Sequence, residues 1–68
     1  MSTTKFPDVS VRLAGVDGNA FVIIGVCSKA ARKAGVPDAE IEAFQAEATD
    51  GDYDHMLRTC MKYFDIRY

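Results

Sequence analysis

Two short runs of alternating apolar residues, one near each end of the chain, constrain the fold most. In "DVSVRLA" (residues 8–14), Val9, Val11 and Leu13 point one way while Ser10 and Arg12 point the other. In "YFDIRY" (residues 63–68), Phe64, Ile66 and Tyr68 oppose Asp65 and Arg67. A period of two is the mark of a half-buried strand. A lone strand leaves its backbone groups unpaired, so the two ends are expected to meet and pair. Nothing at this level decides their relative direction.

Between the ends the apolar period changes to 3.6. From Ala20 to Ala34, the residues Ala20, Ile23, Ile24, Cys27, Ala30, Ala31 and Ala34 share one helical face. Asn19 precedes this run as a cap, Lys29, Arg32 and Lys33 crowd its last turns, and Gly35 follows as a stop signal. Pro37 suits the start of a second helix, about 38–49, with Asp38 and Glu40 near its positive end and a thin stripe of Ile41, Phe44 and Ala48. "TDGDYD" breaks the chain again. A third helix, about 53–62, places Tyr53, Met56, Leu57, Cys60 and Met61 on one side, and Asp54, His55, Arg58, Thr59 and Lys62 on the other. The expectation is an α+β domain of order β-α-α-α-β over residues 8–68, three helices packed on a two-stranded sheet, with residues 1–7 as a flexible lead-in.

One segment exceeds what such a small domain needs. "AFVIIG" makes the first two turns of the first helix apolar nearly all round, with Val22 and Val26 off the main apolar face and Phe21 on the opposite flank. Gly25 lies on that flank and allows close approach. Phe21, Val22, Gly25 and Val26 are therefore the candidate self-association residues, and a homodimer is expected.

Sixty-eight residues bury only about 60% of the surface that the unfolded chain exposes, which leaves stability marginal. No apolar run approaches the roughly 18 residues of a membrane span, and "MSTTKFPDVS" shows no secretory signal, so a cytoplasmic protein is expected. The two cysteines, Cys27 and Cys60, fall on apolar helix faces without metal-ligand spacing and read as reduced core thiols. Charge is unevenly spread. Residues 38–54 hold seven acidic side chains and no basic one, against a net charge of −2 for the whole chain. This strip, with Glu40, Glu47, Asp50, Asp52, Asp54 and neighbouring His55, is a candidate surface for a basic protein partner and disfavours nucleic acid.

Motifs narrow the chemistry further. Ala31, Gly35 and Ile41 have helix-turn-helix spacing, but the would-be recognition helix carries Asp38, Glu40, Glu42 and Glu47 and no Lys or Arg. Asp50, Asp52 and Asp54 imitate the opening of a calcium loop, yet His55 stands at the turn-glycine position and Met61 at the bidentate-glutamate position. Helix capping by Asp50 or Asp52 explains the cluster better. His55 projects with Arg58 and Lys62 as a solvated residue, and no nucleophile elbow, HExxH or phosphate loop is present. Neither catalytic residues, nor a metal, nor a cofactor is therefore expected. "GVDGN", with Asp17, Gly18 and Asn19, is a candidate anion or ligand turn at a helix N-terminus, although Asn19 as a cap would satisfy the same groups.

The pattern "DGNAF", the "IIG" helix, "KAG", "EAT" and "GDYDHML", from about Val9 to Ile66, resembles a family of short, largely uncharacterised proteins encoded by bacteria and their phages. The resemblance implies a stand-alone accessory protein without a named activity. Together these features predict a non-enzymatic binder of a macromolecular partner, such as a modulator or inhibitor of a host protein. The alternative is a sponge for a nucleotide or other small anion.

Overall fold

The computed structural model describes residues 4–67. The elements run β1 (Phe6–Arg12), α1 (Ala20–Lys33), α2 (Asp38–Ala48), α3 (Tyr53–Tyr63) and β2 (Phe64–Arg67). The two strands form one parallel sheet, so the chain has the expected β-α-α-α-β order. The molecule measures 26 × 25 × 24 Å, and α1 alone, at 14 residues, spans about 21 Å. The three helices between the strands make the long crossover that a parallel pair requires.

The strand begins earlier than the alternation indicated. Phe6 and Pro7 belong to β1 rather than to a lead-in. The backbone N–H of Lys5 donates to the Lys62 carbonyl at 2.9 Å, so the segment before the strand is tied down as well. Residues 1–3 and Tyr68 lie outside the described residues. The register explains why the start was hidden: Phe6 pairs with Phe64, yet the next partners are Ser10 and Asp65. Pro7 falls in this irregular stretch, where a residue without an N–H does not interrupt the ladder.

Local chemistry sets the helix ends. The Asn19 side chain accepts the Phe21 N–H at 2.8 Å and caps α1. At its other end the Val36 N–H bonds the Ala31 carbonyl and the Gly35 N–H bonds that of Arg32. This doubled bonding needs the left-handed backbone that Gly35 supplies at φ +90°. Pro37 occupies the cap position of α2 and offers only its carbonyl, which accepts from Glu40 and Ile41. Of the two proposed caps for α3, Asp52 is the one used: its side chain accepts the His55 N–H at 2.9 Å.

Helices and sheet enclose one core. Phe44 of α2 is fully buried and meets Phe64 edge-on at 4.9 Å and Tyr63 at 5.4 Å. Cys27 and Cys60 are both buried and free. A hydrogen bond to Cys60 and burial together hold the Cys27 thiol protonated, well above its ordinary range.

The face of α3 differs from expectation. Met56, Thr59, Cys60 and Tyr63 are buried, whereas Tyr53 and Met61 are exposed and Leu57 is half-buried. Thr59 tolerates burial because its hydroxyl donates to the His55 carbonyl at 2.8 Å. On α1, Ala34 is exposed, and Ala20 and Ala30 are only half-buried.

Candidate interaction surface

The acidic strip is bound largely to the protein's own cations. Glu40 lies 2.6 Å from Lys5 Nζ. Glu47 accepts from Lys62 Nζ at 2.9 Å and from the Tyr63 hydroxyl at 3.2 Å. Asp54 faces Arg58 one turn on, at 3.8 Å. Asp52 is engaged as the α3 cap. Asp50 is exposed and makes no ion pair among the described residues. The hydrogen bond from Lys62 holds the Glu47 carboxyl below its ordinary range, and the bond to Glu40 raises Lys5 above its own.

His55 is not the solvated residue its helical projection implied. It is half-buried, and its Nε2 lies 2.7 Å from the Glu47 carbonyl. A carbonyl can only accept, so Nε2 carries the proton in this contact. The ring thus closes the C-terminal end of α2, which has no basic residue in its last turn. It also packs on Gly51, where a Cβ would sit 2.8 Å from the ring carbons.

The proposed anion turn is likewise occupied from within. Asn19 donates its N–H to the Asp17 side chain at 3.0 Å and caps α1 with its own side chain. The Gly18 carbonyl accepts the Tyr53 hydroxyl at 2.6 Å, which clamps the turn to α3.

The outer face of α1 has no such internal explanation. Phe21 is 79% exposed and Val22 40%, although both are large and apolar. Gly25 lies between them and the basic end of the helix, and a Cβ there would meet nothing within 4 Å. Glycine in a helix interior costs about 0.5–1 kcal/mol relative to alanine, and this chain's own packing does not require it. Val26 is the exception among the four candidate residues: it is half-buried and packs against the core. Beside Phe21 lies a pocket of about 200 Å³ whose walls include Ile24, Ala48, Tyr53 and Met56. Exposed apolar surface next to a concavity marks a place where a partner's side chain can be covered. The volume is below the 300–1,000 Å³ usual for small-molecule sites.

Lys29 and Lys33 continue this face toward the helix C-terminus, exposed and without an ion pair among the described residues. Among those residues no three His, Cys, Asp or Glu side chains converge on a metal-sized site, and no helix is long and apolar enough to cross a membrane. No family model, curated protein or solved structure matches the chain.

Proposed function

We propose that this chain is a non-enzymatic interaction protein that binds a macromolecular partner through the outer face of α1. The observation that carries the reading is Phe21, 79% exposed beside a shallow apolar pocket. The acidic strip is the weaker candidate, because Glu40, Glu47 and Asp54 already hold intramolecular cations. The phage setting implied by the resemblance makes modulation or inhibition of a host protein the role we assign. Two buried, unpaired thiols suit a reducing cytoplasm.

Capture from bacterial lysate at two salt concentrations tests the proposal, with wild type and Phe21→Ser as parallel baits. Apolar docking predicts a partner that persists at high salt and is lost with Phe21→Ser. Capture that survives Phe21→Ser and disappears only in salt moves the site to the acids. No recovery by wild type at either salt overturns the reading.

A further inference from the structure

We infer that a second copy of this chain covers the outer face of α1, packed antiparallel about a twofold axis at Gly25. The inference rests on the reading of that face as a binding surface and names its occupant. Three observations point to a copy. The face carries a projecting ring, Phe21, on its N-terminal half and the exposed stems of Lys29 and Lys33 on its C-terminal half, so one patch supplies both halves of a contact, as a twofold interface requires. Gly25 leaves the helix backbone bare where two helices would cross, with nothing among the described residues beyond its own helical turn within 4 Å of a would-be Cβ. Charge then fixes the direction. Asp17 and Asp50 lie exposed at the pole where α1 begins, and Lys29 and Lys33 lie exposed toward its end.

Antiparallel pairing centred on Gly25 sets Phe21 against Lys29 of the second copy and turns the acidic pole at Asp17 toward the end of the helix that carries its Lys33. The lysine stems cover the aromatic ring while their ammonium groups meet the acids. Parallel pairing would instead oppose Lys29 and Lys33 to the same lysines of the copy. A single helix crossing buries less than the roughly 1,200 Å² of a standard interface, so the dimer is transient and concentration-dependent.

Sedimentation equilibrium of the full chain over a wide concentration range gives the test. The expected result is an average mass that rises toward two copies with concentration, less steeply at high salt. Phe21→Ser and Gly25→Leu should each raise the dissociation constant about tenfold or more while retaining the wild-type circular dichroism spectrum. Under a mild thiol oxidant, Gly25→Cys should cross-link as a dimer, because its copies meet at the axis. Phe21→Cys should not, because antiparallel copies of residue 21 lie about 12 Å apart along the helices, beyond disulfide reach. A single-copy mass at every concentration overturns the inference. So does a dimer indifferent to Phe21→Ser, or cross-linking through residue 21 in place of 25. A monomer that still captures a host protein through Phe21 sinks the dimer and leaves the interaction reading intact. A dimer that captures nothing does the reverse.

Discussion

The acidic strip and the outer face of α1 carry opposite kinds of surplus, and the fold treats them differently. The strip concentrates one sign of charge in the sequence, yet Lys5, Lys62 and Arg58 reach it from elsewhere and Asp52 turns its charge toward a helix end. The α1 face concentrates apolar area, and among the described residues nothing returns to cover Phe21. Charged side chains are long and find counterions at little cost, so a charge cluster is weak evidence of a site. A bare aromatic beside an unneeded glycine is stronger evidence, because the monomer gains nothing from either. Substitutions in the strip should therefore act on stability, and those on the α1 face on association.

Gly51→Ala should show the largest effect. Its Cβ would stand 2.8 Å from two ring carbons of His55 and 2.9 Å from the His55 Cβ. The ring must leave, and the Glu47 carbonyl loses its shorter hydrogen bond and keeps only the Asp50 N–H at 3.2 Å. We expect a loss of about 1–3 kcal/mol, read as a fall in Tm of about 4–8 °C for each kcal/mol. An unchanged Tm would mean that His55 is dispensable to the fold and free for another role.

Glu47→Gln probes the same region through pH. The hydrogen bond from Lys62 lowers the Glu47 carboxyl in the folded protein from its ordinary value of 4.5. A depressed carboxyl stabilises the fold above the unfolded value, and that contribution is lost as pH falls through the folded one. Both side chains are substantially solvated, so the amide variant should lose about 1 kcal/mol or less at pH 7. The gap to wild type should close on the acid side. Denaturant midpoints at neutral and acid pH check the sign.

How much of this contrast was legible depends on how far each cause lies along the chain. Helix boundaries were accessible because their punctuation is local: Asn19, then Gly35 with Pro37, then Gly51 with Asp52. The excess on α1 was equally local, and it survives at Phe21, Val22 and Gly25, while Val26 turns partly inward. The neutralisation of the acids was not legible. Lys5 meets Glu40 across 35 residues, a pairing set by the passage of β1's start beside α2. The α3 face was misplaced for a related reason: Tyr53, Leu57 and Met61 form as good an apolar stripe as the one buried, and only the position of α2 and the sheet chooses between them. Strand direction was not legible: the alternation of each run is the same whichever way it passes the other, and the parallel pairing is set by how the three helices pack between them.

Gly25→Ala sharpens the comparison from the other side. With open space at the added Cβ, alanine should stabilise the monomer by about 0.5–1 kcal/mol through helix propensity alone. If the bare backbone serves a helix crossing, the same change should weaken self-association. Opposite signs in the two measurements are what a purely structural glycine would not produce.

The smallest expected effect on folding is the most informative about function. Phe21→Ser removes a ring that is 79% exposed, so little buried area is lost and monomer stability should stay within about 0.5 kcal/mol of wild type. The Phe21 N–H still donates to the Asn19 side chain, because that bond involves only backbone at residue 21. If the ring serves only to roof the pocket over Ile24 and Met56, the variant should lose well over that amount in a denaturant titration at low protein concentration, where a weak dimer has dissociated. If it serves a partner, that titration should superimpose on wild type. The difference should then emerge only as concentration rises and mass action begins to favour the bound form. Titrations at two protein concentrations thus separate a side chain kept for the fold from one kept for an encounter.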